Sequence, residues 1–381
     1  MIFEKQRAFM HDALGIKYKV KSSKDHLVKT VKWLCKAQDV TPDDGVARMY
    51  KLGAHWGASY PETTGYIIPT FLQYGKYFND SVIITRAHNM TKWLQEIQHT
   101  TGYIQGGTIA DEPSPAIFNT GQVLFGYCAA YEAFGDESIS ASAKKAAGYL
   151  LSQQDSDGQW RRNLSKFCTP NLEYFSYNIR TAWALYRAAK IFKDSEYEHS
   201  AMLNFEAILN SADDSGWIAK NCLTTENEPL LHTIAYTLQG LLEISDLSGS
   251  IDKLKTVIVA NNNLLLSFQK KKSLFGRYDK NWIPVVKWRC LTGEAQIACI
   301  WFRLYTLTGD LVWKNNAVIL LNMIKQTQCL NSGDDNIDGG IKGSYPVFGD
   351  YGKYEYVNWA AKFFVDALML EIGFDRSSTK G

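Results

Sequence analysis

Apolar residues recur at helical spacing in two kinds of stretch that alternate along the whole chain. In the first kind only one face is apolar, as with Leu27, Val31, Leu34 and Cys35 between Asp25 and Ala37. Such stretches predict outer helices over 25–37, 82–97, 138–153, 197–209, 251–268 and 311–327. In the second kind the side chains are apolar nearly all round, starting with the run from Ser59 to Phe78. A helix of that type is buried, which predicts inner helices over 59–78, 119–134, 177–192, 231–244, 294–307 and 358–371.

Each outer stretch runs into a loop with a shared signature, clearest in Gln154-Asp155-Ser156-Asp157-Gly158-Gln159-Trp160. Its leading Gln or Asn stands at 38, 98, 154, 210, 269 and 328, a near-constant period that fills the chain. Inner stretches end in Phe134-Gly135-Asp136, Phe192-Lys193-Asp194 or Thr308-Gly309-Asp310. Gly at C′ followed by an Asp N-cap accounts for those residues by backbone geometry alone. The expected fold is all-α, an (α/α)6 toroid of six helical hairpins forming one domain over 1–381. Residues 1–24 read as a polar lead-in and 373–381 as a disordered tail. An open solenoid is the competing arrangement, but its end repeats need polar caps. The stretch Trp359 to Leu368 is as apolar as the middle inner helices, which favours a closed ring.

Composition adds mainly exclusions. A hydrophobic fraction of 46% supports a large core, and a net charge of +2 gives no sign of a nucleic-acid or membrane-surface protein. The seven cysteines are scattered without a CxxC pair, so neither a disulfide framework nor a zinc cluster is expected. No metal or cofactor is called for. The charged start Met1 to Arg7 lacks an apolar leader core, and the expected location is cytoplasmic.

Six helical hairpins with Gly-aromatic loops resemble the (α/α)6-barrel enzymes: glycoside hydrolases, toroid polysaccharide lyases and uronate C5-epimerases, with terpenoid cyclases sharing the architecture. The stretches Ser59 to Thr70 and Asn358 to Leu368 also resemble proteins of bacterial surface-polysaccharide biosynthesis. The resemblance implies an oligosaccharide or polysaccharide partner, with anionic sugars a natural class.

In such a toroid the N-terminal ends of the inner helices line one mouth, where unpaired N–H groups and the macrodipole favour anions. Polar residues in the first turns of the inner helices are therefore the candidates: Glu62, Thr63 and Tyr66; Asn119 and Gln122; Asn178, Arg180 and Thr181. The later helices add His232 and Tyr236, then Thr292, Glu294 and Gln296, then Asn358 and Lys362. Glycoside cleavage uses a carboxyl pair, and Glu62 with Glu294 is the pair expected for a hydrolase, the leading reading. Each has a plainer explanation. Ser59-x-x-Glu62 is a capping-box sequence, and Thr292 is placed to cap the helix of Glu294.

His232 and Tyr236 lie four apart on one helix face, after Asn178 and Arg180 on the preceding inner helix. The resemblance implies that such residues serve a uronate lyase or epimerase, with Asn and Arg neutralising the carboxylate and His or Tyr taking the C5 proton. Against that stands the ordinary buried histidine of a core. Tyr66, Gln122, Gln296 and Asn358 are expected to bind substrate, with Asn119, Arg180 and Lys362 as clamps and Tyr351 on the long Gly-rich loop as a contact or lid. The loop acids, repeating in register beside Gly, read as turn and cap chemistry, and Trp160 and Trp217 as packing between repeats. Gln154-x-x-x-Gly158-x-Trp160 matches the repeat of triterpene cyclases, but their Asp-x-Asp-Asp motif is missing. A non-catalytic glycan-binding toroid is the alternative from a different class.

Overall fold

The computed structural model describes residues 2–165, 167–168 and 172–378. Six buried helices form an inner ring: α3 (Pro61–Phe78), α5 (Ile117–Phe134), α7 (Ile179–Phe192), α9 (Leu231–Leu247), α11 (Leu291–Thr308) and α13 (Asn358–Ser378). Each packs on the next, and α13 returns to α3. Six half-buried helices surround them: α2 (Ser23–Asp39), α4 (Ser81–Ile97), α6 (Glu137–Gln153), α8 (Ser195–Leu209), α10 (Leu254–Lys271) and α12 (Leu311–Lys325). The (α/α)6 toroid read from the apolar periodicity is the fold. Two short antiparallel pairs, β1 (Met49–Lys51) with β4 (Glu355–Val357) and β2 (Arg289–Cys290) with β3 (Ser344–Tyr345), brace loops at the mouth.

The repeat signature has a physical cause in the way each hairpin leans on the following one. Gln154 donates from Nε2 both to the Gly158 carbonyl within its own loop and to the Ser200 carbonyl on α8. Gln98 does the same to Gly102 and Ser142. Gly158 adopts φ +84°, and a Cβ there would stand 2.6 Å from the backbone of Leu203. Only glycine allows that approach. Gln328 repeats the device across the seam, donating to Gly339 and to Thr30 on α2, so the sixth repeat is stapled to the first. Trp160 is fully buried with its Nε1 donating to the Leu150 carbonyl of its own hairpin, while Trp217 packs edge-on against Trp282 of the following repeat.

Helix ends follow the backbone explanation. Asn79, Lys193, Gly135 and Gly309 adopt left-handed φ, and Asp80, Asp136, Asp194 and Asp310 cap the following helices through their carboxylates. The loop acids are likewise spent on turns: Asp213 accepts from the N–H groups of Ser215 and Trp217, and Asp334 from that of Asn336.

Several boundaries differ from the sequence expectation. The lead-in contains a helix, α1 (Ile2–Ala13), whose Asp12 is buried against Lys342 at 2.6 Å and the Val347 N–H at 2.8 Å. Its polar sequence hid a single buried anchor. The last helix runs on through Ser378, and Phe374, expected in the disordered tail, stacks on Phe302 5.6 Å away. Residues 379–381 lie outside the described residues. The third inner helix begins later than expected, because 176–178 form a 3₁₀ turn ahead of α7.

Candidate active site

A cavity of about 170 Å³ opens where the inner helices begin. Its wall carries Glu62 and Tyr66 from α3, His232 and Tyr236 from α9, and Tyr351 from the Gly-rich loop. Tyr60, Phe118, Tyr177 and Trp359 complete an aromatic lining, with Arg48 at the rim. In a ring of six, α3 and α9 are opposite members, so Glu62 and His232 face each other across the opening.

Glu62 is not a capping residue. The N-cap of α3 is Tyr60, which makes no side-chain cap, and the Ser59 hydroxyl donates instead to Asp43 at 2.5 Å. The Glu62 carboxyl is thus free of the helix end and accepts a hydrogen bond from the Tyr60 hydroxyl at 2.7 Å. Protein surrounds it on every side but the one open to the cavity, where the residue keeps partial exposure. Burial raises its pKa to about 7, against the opposing pull of the Tyr60 hydrogen bond and of Arg180 and Arg48.

His232 presents the complementary chemistry. Its Nδ1 lies 2.7 Å from Gln296 Oε1, an oxygen that can only accept. Nδ1 therefore carries the proton and Nε2 is left with a lone pair. Burial lowers the pKa to about 4, so the ring is neutral near pH 7. The ring packs 4.3 Å from Tyr236, and the Tyr236 hydroxyl is buried without a hydrogen-bond partner. An unsatisfied hydroxyl in a cavity wall is costly in the empty state and ready for a ligand oxygen.

Beneath the cavity sits Arg180, 3% exposed. It donates from Nε to Gln122 at 2.6 Å and from Nη1 to Gln239 at 2.7 Å. Five rings surround the guanidinium at 4.9–5.8 Å, those of Tyr236, Phe125, Trp183, Phe363 and Tyr66. A buried guanidinium ordinarily calls for an anion. Here aromatic faces and amide oxygens serve instead, because ring quadrupoles tolerate a cation where water is excluded. Lys362 is satisfied by Asp366 one turn on, at 2.5 Å.

The expected site residues thus separate. Glu62, Tyr66, His232, Tyr236 and Tyr351 line the cavity, while Gln296, Gln122, Arg180 and Lys362 form the layer behind it. Asn119 and Asn358 are structural: Asn119 Nδ2 donates to the Gln105 carbonyl, and Asn358 Nδ2 to the Ala47 carbonyl and Thr63 hydroxyl. Asn178 is buried in the 3₁₀ turn with no partner on its amide. Glu294 does not pair with Glu62. Its carboxylate is fully buried and held bidentately by Arg289 at 2.7 and 2.6 Å, away from the cavity wall. The spacing placed it on the correct helix end, but the strand residue five positions earlier captured it. Sequence reasoning missed Arg48, Tyr60, Phe118, Tyr177 and Trp359. Their signal was present, since an aromatic stands within two residues of a polar candidate at four inner-helix starts.

Among the described residues no helix is long and apolar enough to cross a membrane. No protein-family model and no curated relative matches the chain. Solved structures do. A heparin-specific unsaturated glucuronyl hydrolase superposes with TM-score 0.73 at 16% identity, over 93% of this chain and 98% of that one. Cellobiose 2-epimerase from Bacillus thermoamylovorans gives 0.72 at 13% identity, over 91% and 98%. A sugar epimerase from a ruminal bacterium gives 0.75 at 12%, over 91% and 97%. The chain shares the (α/α)6 toroid of these carbohydrate-acting enzymes.

Proposed function

We propose that the protein is a glycan-acting enzyme and that Glu62 and His232 are its general acid and general base. The observation that carries this is their placement on opposite inner helices across one cavity, with the carboxyl keeping its proton up to about pH 7 and the imidazole unprotonated above about pH 4. Proton donation to a glycosidic oxygen needs an acid with a raised pKa, and a base on the opposite face activates water. Hydrolysis is the leading reading, with His232 in the role that the sequence had suggested for Glu294. The aromatic lining suits the apolar faces of a sugar ring. Arg48 at the rim supports an anionic sugar as substrate.

The mechanism requires Glu62 protonated and His232 neutral. Activity should therefore rise through the His232 pKa of about 4 and fall through the Glu62 pKa of about 7. Tyr60 orients the Glu62 carboxyl, and Gln296 fixes the His232 tautomer.

A second reading is proton abstraction at a sugar carbon, giving epimerisation or elimination. It is favoured by the unpartnered Tyr236 hydroxyl beside His232 and by the lone carboxyl in the wall. Digestion of neutral and uronate-containing glycans separates the two. New reducing ends without the ultraviolet absorbance of an unsaturated uronate, abolished in Glu62→Gln and His232→Ala, is the expected result. Absorbance, or solvent deuterium entering recovered sugar without cleavage, would transfer the assignment to the second reading. Full activity in both variants would remove the site altogether.

A further inference from the structure

Beside the cavity runs a groove of about 330 Å³, and the two share Arg48, Tyr60 and Phe167 at a common threshold. The groove lies between the loop carrying Gly57 and Ala58 and the loop carrying Gly107 to Asp111. Both walls are fixed in advance. The Ile109 N–H donates to the Ser59 carbonyl at 3.0 Å, tying one loop to the other. Asp111 accepts from the N–H and hydroxyl of Thr108 at 2.7 and 2.9 Å, and Gln105 donates to the Thr108 carbonyl. The cavity itself has a floor, since Phe363 is fully buried and Arg180 nearly so. A chain entering the cavity therefore leaves by the mouth it came in, and the groove is where its next unit lies.

Arg48 at the threshold is held ready. Its N–H donates to the Ala58 carbonyl and its carbonyl accepts from the Asn358 N–H, so the backbone is pinned on both sides. Its guanidinium lies 5.5 Å over Trp359 and forms an ion pair with Glu355 Oε2 at 3.8 Å, too long for a hydrogen bond. The other oxygen of that carboxylate, Oε1, is taken by Lys51 at 3.3 Å, so Glu355 is shared between two cations. The side chain makes no hydrogen bond within the described residues and keeps 31% exposure. A planar fork of donors left open beside two sugar-sized spaces is suited to a carboxylate.

We propose that cavity and groove are two consecutive saccharide subsites, taking the terminal and penultimate units of an acidic oligosaccharide, with Arg48 between them holding the carboxylate. The enzyme then acts at chain ends. The inference rests on reading the cavity as a glycan site, and its test measures binding rather than turnover.

Calorimetry on the Glu62→Gln chain, which does not consume ligand, compares D-glucuronate, a glucuronyl-N-acetylglucosamine disaccharide and its neutral glucosyl counterpart. The acidic disaccharide should bind roughly tenfold or more tightly than the monosaccharide. Ala110→Trp, at an exposed position on the groove wall, should erase that gain and leave the monosaccharide unchanged. Arg48→Met should erase the preference for the acidic over the neutral disaccharide. Equal affinities for one and two units, binding of neither, or equal loss of both in Ala110→Trp would overturn the subsites. An unchanged acidic preference in Arg48→Met would overturn the role of Arg48. Should the unsubstituted protein still release reducing ends when the affinities are equal, the catalytic reading survives and only the subsites fall.

Discussion

Glu62→Gln should stabilise the protein while disabling it, and only above the pH at which the carboxyl would ionise. The substitution keeps the shape and still accepts from Tyr60, but removes a charge that burial penalises. The rise from the ordinary 4.5 to about 7 corresponds to about 3 kcal/mol between protonation states. Water in the cavity screens part of this, leaving roughly 1–3 kcal/mol. Because the folded pKa lies above the unfolded one, the native state keeps its proton where the unfolded chain has lost it. The stabilising difference is complete below about pH 4.5 and lost as pH rises through about 7. At pH 8 the native protein bears the whole penalty and the Gln variant bears none. Unfolding entropy is about 0.8 kcal/mol per kelvin for 381 residues, so the variant should melt about 1–4 °C higher at pH 8. The gap should shrink as pH falls and vanish only below about pH 4.5. Comparing variant with parent at each pH cancels the separate titration of His232. Activity should fall by at least about 10²-fold. A melting difference independent of pH, or a lower melting point at pH 8, would show that the carboxyl is solvated like any surface acid, and the assignment of Glu62 as general acid would lose its physical basis.

Glu294→Gln should leave turnover on the best substrate within about twofold while costing roughly 3–5 kcal/mol, because it strands Arg289; denaturant titration with parallel assays checks both halves. Gln296→Leu removes the partner that sets the His232 tautomer and should lower kcat by about 10–100-fold with little change in KM, read by steady-state kinetics. Arg180→Met removes a cation that favours the Glu62 carboxylate, so the alkaline limb of the pH–activity profile should move upward; a limb that stays in place would separate Arg180 from the site. Gly158→Ala meets both a left-handed φ and the α8 backbone at 2.6 Å and should cost more than about 2 kcal/mol in denaturant titration, whereas Gly148→Ala, in the exposed interior of α6 where the space is open, should stabilise by about 0.5–1 kcal/mol.

The toroid was legible because burial dictates periodicity, and because the Gln and Gly of the clearest signatures answer a contact to the next outer helix that recurs at the Gln98, Gln154 and Gln328 seams. Glu62, His232 and Tyr236 were legible for the opposite reason, being polar where an all-round apolar helix had no need of them. Glu294 and Asn358 satisfied the same criterion and yet serve the scaffold. Whether a buried polar side chain is consumed depends on a partner far away in sequence, such as the Ala47 carbonyl for Asn358. The capping box at Ser59 failed for a local reason, since the nearer carboxylate of Asp43 claimed that hydroxyl. The aromatic lining was hidden because Tyr, Phe and Trp serve a core and a sugar site equally well. Arg48 precedes a three-residue strand with no pattern of its own, and its importance arises only when β4 brings Trp359 beneath it.

The Gln328 staple to Thr30 and the seat of Gly339 against Lys29 give the seam between last and first repeats the same fastening as the Gln98 and Gln154 seams. Linear repeat arrays melt from their ends, where one neighbour is missing. A ring in which every repeat has two neighbours offers no such starting point. Opening any one hairpin must break two seams at once, so slow amide exchange should report nearly one opening free energy around all six inner helices. A rigid frame of that kind keeps two catalytic groups on opposite helices at a constant separation while the loops above them admit substrate.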